Sequence, residues 1–585
     1  MKYLLSTISA FVLVLSFSIT NAQIIPGYEE GLQIISKEAL QQHLTFLASD
    51  SLKGRAAGTD ENLIASLYIA EKFREAGLQP LFPSRSKFKV EEDEPAGKIE
   101  VPTFELVDAV QYEGYFQRFA LKKSRYSDKG EVKIIYPNDN SDISISYKYK
   151  NDYMIQYANG KNLSITTPLI FAGYGIEKGE NGYNDYIGID EKEIDVSGRF
   201  VIIVDGHPQD KDPESSFSKT RNAYYRNVLR KAEVAADRGA AGVVVISSTL
   251  KLEPVFNFKY QNLVKAFDKT SYSLPENIHS RIPIIYASNV IADEMFRGSG
   301  TKLDSVLKKI DRTLKPNAFE ITHKMFCAQI EFDSEIVITQ NVIGFLEGTD
   351  PELKNEYVVI AAHMDHVGFG EYGAMDKINI GQIHNGADDN ASGTSAIIEM
   401  AKAFSKVRPK RSMVFIAFNA EENGLLGARY YVYHQPVKPI ENTIAMLNFD
   451  MVGRNEPELL WVGGAFFGED LIKIAETANS HTGFELLYNM GLLSGASDHA
   501  YFLRKKIPAL FFFSGLHDDY HTPSDDIEKI DFDKLKRVTQ LGYLTGWIVA
   551  NSDGKPAWRE MTLEERAVIV KDSKERQDAI RKPKN

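Results

Sequence analysis

Cysteine is almost absent from this sequence of 585 residues, in which Cys327 is the only one. A single thiol cannot form an internal disulfide, and it excludes a zinc site built from several cysteines. The surrounding residues, MFCAQIEF, are typical of a buried strand rather than of a catalytic thiol. Packing must therefore supply the stability of the fold.

An excess of basic residues is also missing. Asp and Glu total 80 against 68 for Lys and Arg, which gives a formal net charge of −12. Without a basic cluster, the chain lacks the electrostatic footprint of a nucleic-acid-binding protein. Its composition is that of an ordinary globular protein, and its length predicts more than one domain.

Long apolar runs are rare, and the clearest one lies at the start of the chain. Lys2 precedes an apolar run from Leu4 to Phe17, and Thr20-Asn21-Ala22 reads as a small-residue cleavage site. The run is short for a membrane span, and no cysteine follows it for lipid attachment. We predict a signal peptide over residues 1–22 and an exported protein, periplasmic or secreted, without a stable membrane anchor. An uncleaved anchor is the alternative.

The rest of the chain divides into three regions. Residues 23–150 combine a helical pattern with strands, residues 151–330 alternate short strands, helices and glycine-rich turns, and residues 331–585 alternate apolar strands with helices. The runs YVVIAAH, SMVFIAFNA, TIAMLNFDM and IPALFFFSG are typical of parallel strands buried on both faces. The pattern predicts an α/β fold with a doubly wound, mostly parallel sheet and an inserted domain over residues 151–330.

The stretch HNGADDNASG places Asp388 beside Asp389 with no Lys or Arg within five residues on either side. Like charges this close repel each other unless something positive compensates them. Either water solvates the two carboxylates or a bound cation neutralises them.

Polar side chains also follow the predicted parallel strands. In an open parallel sheet, ligands bind beyond the carboxyl ends of the strands, where these side chains would meet. The candidates are His363, Asp365, Asp388, Asp389, Glu421, Glu422, Asp450 and His521. A carboxylate after a strand is often only a helix N-cap, but agreement at five separate connections favours a metal site. Imidazole and carboxylate ligands together suit zinc.

The motifs AAHMDH, NGADDNASG, NAEENGLLG, NFDMVG, SDHAYF and DDYHTPSDD resemble, in order and spacing, the di-zinc aminopeptidases of peptidase family 28, clan MH. LASDSLKGRAAGTDE resembles the N-terminal helical segment of that family, and the middle region resembles its inserted protease-associated domain. The resemblance implies a zinc-peptidase α/β/α sandwich. Residues 23–150 and 331–585 would then form the catalytic domain, with the mixed β/α protease-associated domain inserted over 151–330.

The resemblance also implies two Zn²⁺ ions and a role for each candidate. His363 and Asp450 would hold one zinc, Glu422 and His521 the other, and Asp388 would bridge them. Glu421 would be the general base, and Asp365 would orient His363. Asp389 would be a conformational residue, with a strained or cis peptide bond between the two paired Asp residues, or the N-cap of the following helix.

For three further residues, Tyr520, Asp498 and His499, the motifs predict a role less specifically. Tyr520 could donate to the oxyanion formed during hydrolysis. Asp498 and His499 would pack or support the site.

The implied function is that of an exported, zinc-dependent aminopeptidase, which hydrolyses N-terminal residues of peptides with a free N-terminus by a metal-bound hydroxide. A dipeptidase or carboxypeptidase-type enzyme, a glutaminyl-cyclase-like enzyme and a metal-free binding relative remain alternatives. The absence of a G-x-S-x-G motif disfavours a serine hydrolase. The preferred residue, and release of single residues or dipeptides, stay open.

Overall fold

The computed structural model describes residues 24–82, 109–127, 129–139, 141–156, 162–247, 270–275, 282–464, 467–488, 495–560, 562 and 564. The predicted signal peptide lies outside these residues and stays a prediction. Within the described part of the chain, no helix has the length and apolar character needed to cross a bilayer.

The strands and helices are numbered along the chain. The strands are β1 (Phe116–Tyr126), β2 (Glu131–Tyr136), β3 (Ile143–Tyr147), β4 (Tyr153–Gln156), β5 (Leu163–Phe171), β6 (Phe200–Val204), β7 (Gly242–Ile246), β8 (Ser271–Ser273), β9 (Ile284–Ala287), β10 (Phe319–Ile330), β11 (Phe332–Leu346), β12 (Tyr357–His363), β13 (Ser412–Phe418), β14 (Thr443–Phe449), β15 (Leu459–Gly463), β16 (Glu485–Tyr488) and β17 (Ala509–Phe513). The helices are α1 (Glu29–Ile34), α2 (Lys37–Leu47), α3 (Asp60–Glu75), α4 (Ser216–Arg226), α5 (Val228–Asp237), α6 (Asn289–Phe296), α7 (Leu303–Thr313), α8 (Gly393–Lys406), α9 (Leu426–Tyr433), α10 (Glu469–Asn479), α11 (His499–Arg504) and α12 (Phe532–Asn551).

The first sheet confirms the predicted α/β class. Its order is β16-β15-β17-β14-β12-β13-β11-β1-β8. The central strands β17, β14, β12 and β13 run parallel, and β11, β1 and β8 extend the sheet antiparallel on one side. Parallel order is therefore confined mainly to the centre, where the apolar strand sequences are buried on both faces.

Helices cover both faces of this sheet. Along β12, Ile360 and Ala362 face one apolar cluster, while Val359 and Ala361 face another. The first cluster includes residues of α2, α3, α8, α10 and α12, and the second includes residues of α9 and α11. The two layers form an α/β/α sandwich.

The second sheet has the order β3-β2-β10-β5-β6-β7-β9-β4, with β5, β6, β7 and β9 parallel. The chain leaves the first sheet after β1, returns to it briefly at β8 beside β1, and re-enters it at β11, directly after β10 of the second sheet. The sequence-based boundary at residue 151 differs from this arrangement, because β2 and β3 already pair in the second sheet. That boundary followed a change in local composition, which carries no information about strand pairing.

Candidate metal centre

The candidate residues meet at the carboxyl edge of the first sheet. His363 is the last residue of β12, Asp450 directly follows β14, and Glu421 and Glu422 follow β13. Because these three strands are parallel neighbours, their ends deliver the side chains to one place. His363 and Asp450 are buried, whereas Glu421 and Glu422 are partly exposed.

Asp389 lies at the centre of this arrangement. Its Oδ1 is 3.3 Å from Nε2 of His363, and its Oδ2 is 3.1 Å from Nε2 of His521. Burial alone would raise the pKa of this carboxyl, but the close imidazoles of His363 and His521 hold the pKa well below its ordinary value. One carboxylate therefore faces two histidines from opposite oxygens.

Two groups of ligand atoms flank Asp389. In the first, Nε2 of His363 lies 3.2 Å from Asp450 and 4.0 Å from Glu421. In the second, Nε2 of His521 lies 3.0 Å from Glu422. The ligand atoms within each group all lie within 4.8 Å of one another, with Asp389 counted in the second.

The structure corrects the position expected for Asp388. Its Oδ1 accepts a hydrogen bond from the backbone N–H of Gly453 at 2.7 Å, and its Oδ2 lies 3.4 Å from Nε2 of His517. Within the helical turn Ala387–Ser392, Asp389 and Asn390 depart from helical backbone angles and Asp388 does not, so the two adjacent carboxylates point in different directions and only one of them faces the histidines. That residue is Asp389, and not Asp388, to which the family resemblance assigned the shared position.

The expectations for Asp389 itself were also misplaced by one residue. The cis peptide bond of this stretch joins Asp389 to Asn390. The capping contact belongs to Asn390, whose Oδ1 accepts from the N–H of Gly393 at 2.9 Å. Its Nδ2 also donates to the carbonyl oxygen of Phe449 at 2.9 Å, beside Asp450.

Asp365 ties two strand ends together. Its carboxylate accepts from the backbone N–H groups of Glu421 and Glu422, at 3.1 and 3.3 Å. Nδ1 of His363 lies 3.8 Å from this carboxylate and 3.2 Å from the carbonyl oxygen of Asp365. The contact that orients the imidazole is thus closer to the backbone of Asp365 than to its side chain.

Further residues surround the site. His366, in the AAHMDH motif, was given no role by sequence reasoning, yet its Nδ1 lies 2.8 Å from Glu422. Tyr520 stacks on His521 with ring centroids 3.8 Å apart. Asp498 is fully buried, its carboxylate makes no hydrogen bond to the described residues, and burial raises its pKa well above the ordinary value.

The donor atoms fit divalent zinc. Imidazole nitrogens and carboxylate oxygens are the ligands that zinc takes when cysteine is absent. Nε2 of His521 and Oδ1 of Asp450 are buried, and neither makes a hydrogen bond of acceptable geometry to any described residue. Buried polar atoms without hydrogen bonds are costly, and a cation bound in each group would satisfy them.

A parallel α/β sheet with two histidine–carboxylate groups at its carboxyl edge defines a metal-dependent hydrolase class of site. The comparisons with known proteins agree with this class. Residues 341–544 match the model of Peptidase family M28.

Several curated proteins are similar to part of the chain. Aminopeptidase YwaD of Bacillus subtilis is 31% identical over 229 residues, which cover 37% of this chain and 46% of that protein. Leupeptin-inactivating enzyme 1 of Streptomyces exfoliatus is 31% identical over 188 residues, 32% of this chain and 38% of that protein. The chain thus spans about half or less of the length of these relatives.

Solved structures align with most of the chain at low identity. An aminopeptidase from Aneurinibacillus sp. strain AM-1 has 18% identity and a TM-score of 0.49, and covers 92% of this chain and 99% of its own. A zinc aminopeptidase from Bacillus subtilis, BSAP, has 20% identity and a TM-score of 0.42, over 89% and 96%.

Proposed function

We propose that this protein is an exported, zinc-dependent aminopeptidase that removes N-terminal residues from peptides. The observation that carries the proposal is the position of Asp389, which faces His363 and His521 with its two oxygens. A carboxylate placed in this way can serve two cations at once. The names of relatives as aminopeptidases and zinc metalloproteases support the same reaction class.

Two zinc ions would be held by His363 and Asp450 on one side and by Glu422 and His521 on the other, with Asp389 shared. Such a pair, when bound, supplies Lewis-acid polarisation of the scissile carbonyl and a water of lowered pKa. His366 would fix the orientation of Glu422 through its 2.8 Å contact.

Glu421 would move the proton. Its carboxylate lies beside the first group, 4.0 Å from Nε2 of His363, and is partly exposed toward the site. It would accept a proton from the attacking water at Oε2 and pass it to the nitrogen of the leaving amine. The phenol of Tyr520 would lie close enough to the same region to donate to the developing oxyanion.

The surrounding carboxylates favour a substrate with a positive end. A free α-amine can bind to these carboxylates or to a metal, whereas the carboxylate of a peptide C-terminus would be repelled by the carboxylates. Peptides with a free N-terminus are therefore the proposed substrates. Export rests on the pattern of residues 1–22.

The test combines zinc content with hydrolysis of a panel of aminoacyl-p-nitroanilides and dipeptidyl-p-nitroanilides. We expect two zinc ions per chain, activity on free-amine substrates, and loss of activity after chelation that added zinc restores. Glu421→Gln should lower kcat by roughly 10²–10⁴-fold with the metal retained.

The other outcomes separate the alternatives. Two metals with activity only on dipeptidyl substrates would change the product, and activity only on blocked substrates with a free C-terminus would indicate a carboxypeptidase. One bound zinc with cyclisation of N-terminal glutamine would favour the glutaminyl-cyclase-like reading. A protein that binds no zinc would be a binding relative, and the proposal would be wrong.

A further inference from the structure

Arg55 is a buried guanidinium directly behind the candidate metal centre. The residue is 1% exposed and lies between the short 3₁₀ helix Asp50–Leu52 and α3. Its backbone has a φ of +39°, in the left-handed region that non-glycine residues rarely adopt. The surrounding contacts must therefore hold this segment in place.

All five N–H donors of the Arg55 side chain are used by backbone carbonyl oxygens. Nε donates to the carbonyl oxygen of Met364 at 2.8 Å, and Nη2 donates to the carbonyl oxygens of Gly386 at 2.7 Å and Asp389 at 3.3 Å. Nη1 donates to Leu47 at 3.1 Å and also to Asn385. A guanidinium presents its donors in a rigid fork, so these contacts fix the relative positions of the segments that carry them.

These segments bear the central ligand candidates. Met364 directly follows His363, and Asn385 to Asp389 form the stretch that ends in the shared carboxylate. The same guanidinium thus connects the end of β12 to the loop that presents Asp389. Neither connection depends on the ligand side chains themselves.

The charge of Arg55 also suits its position. Among the described residues, no carboxylate hydrogen-bonds to it. Burial lowers its pKa to about 10, while the nearby charges of Asp389 and Asp365 raise it, so the guanidinium stays protonated at neutral pH. This cation is the one that the stretch HNGADDNASG lacks in its own sequence neighbourhood.

Neighbouring contacts anchor Arg55 to the remaining strand end. The side chain of Asn62 donates to the carbonyl oxygen of Arg55 at 2.9 Å and accepts from Asn419 at 2.6 Å. Asn419 lies two residues before Glu421. The N–H of Gly368 donates to the carbonyl oxygen of Gly54 at 3.2 Å, which joins the segment to the loop after β12.

We propose that Arg55 is a positioning residue that sets the separation of His363 and Asp389 for metal binding and offsets the negative charge of the site. This inference rests on the proposed zinc-dependent function. It makes Arg55 a determinant of zinc affinity although the residue contacts no ligand side chain.

The main test compares Arg55→Lys with Arg411→Lys. Arg411 is an equally buried arginine, and it hydrogen-bonds to Glu356 and to the carbonyl oxygen of Val549 at the opposite end of β13. Lysine keeps the charge in both variants but cannot make the forked set of contacts. Zinc affinity is measured by competition with a chelator, and the melting temperature Tm is measured with and without zinc.

We expect Arg55→Lys to lower zinc affinity by about 10–100-fold, as the loss of outer contacts to metal ligands typically does. The rise in Tm on adding zinc should shrink accordingly. Arg411→Lys should lower the Tm of the zinc-free protein and leave zinc affinity at the wild-type value. Equal zinc affinity in Arg55→Lys and wild type would overturn the inference.

A second pair of variants covers the case in which Arg55→Lys does not fold. Gly54→Ala moves the same segment without removing the guanidinium, because its Cβ would meet the carbonyl oxygen of His384 and Cα of Gly368. Gly77→Ala has a similar φ, +81° against +70°, but its Cβ would meet nothing within 4 Å in the described structure.

Gly54→Ala should therefore lower zinc affinity several-fold more than Gly77→Ala, while both lose stability from backbone strain. Equal zinc affinities in these two variants would overturn the inference. A wild-type protein that binds no zinc would instead overturn the proposed function, and this inference with it.

Discussion

Exchanging the two adjacent aspartates for asparagine, one at a time, tests the assignment of the shared ligand. Asp389→Asn and Asp388→Asn are isosteric changes at neighbouring, equally buried positions. The structure predicts a large loss of zinc affinity for Asp389→Asn and a small one for Asp388→Asn, because only Asp389 faces His363 and His521.

The magnitude follows from the contacts of each carboxylate. Asp389 offers one oxygen to each ligand group, so its replacement removes a charged donor from both. The loss should exceed the 10–100-fold that contacts outside the ligand set typically contribute. We therefore expect zinc affinity to fall by at least about 100-fold, or about 2.7 kcal/mol, in Asp389→Asn.

Asp388→Asn should change zinc affinity by less than about 10-fold. The amide oxygen can still accept from the N–H of Gly453, and the amide nitrogen can donate toward His517, which lies 3.4 Å from the carboxylate. Zinc content after dialysis, followed by chelator competition, measures both variants. Loss of zinc in Asp388→Asn with retention in Asp389→Asn would refute the assignment.

Three further predictions concern catalysis, pH and packing. Tyr520→Phe should lower kcat by about 10²–10³-fold with KM nearly unchanged if the phenol donates to the oxyanion, and steady-state kinetics on an aminoacyl-p-nitroanilide measures this. Burial lowers the pKa of His43, so the unfolded chain takes up a proton at a higher pH than the folded chain does. The free energy of unfolding should therefore decrease as the pH drops below about 6.5, by at most about 1.4 kcal/mol per pH unit. His43→Gln should therefore lose less Tm between pH 6.5 and pH 5 than the wild type, and an equal loss would contradict this account. Gly393→Ala should lower Tm and zinc affinity, because its Cβ would meet the carbonyl oxygen of Phe449, the residue before the candidate ligand Asp450. Gly554→Ala is the control: its Cβ would meet no described atom within 4 Å, so both quantities should stay unchanged.

Much of the fold was predictable because strand burial leaves a local signature. Strands β12, β13, β14 and β17 are continuous apolar runs, and each ends at a residue or loop that carries a polar candidate. The edges of the sheets were less predictable, since β2 and β3 carry no mark of the sheet they join. Pairing across long sequence separations determines that choice.

The choice between Asp388 and Asp389 shows a different limit. Both residues have the same chemistry and lie next to each other in the chain, yet their side chains point in different directions. Backbone conformation decides the outcome: Asp389 has φ −103° and ψ +94°, outside the helix that follows. No pattern of residue types encodes that difference.

The compensation of charge at the site required knowledge of the tertiary structure. Five carboxylates of the two groups and their support, Asp365, Asp389, Glu421, Glu422 and Asp450, meet in a largely buried space. Two divalent cations would neutralise four of these charges, and the guanidinium of Arg55 supplies the fifth. Because Arg55 lies more than three hundred residues before the stretch it contacts, a search for basic residues near Asp388 and Asp389 could not find it. Its charge would also favour the burial of Asp365, which would bind no metal, behind His363. Under the proposed function the N-terminal segment would accordingly be part of the metal centre, although no candidate ligand lies in it.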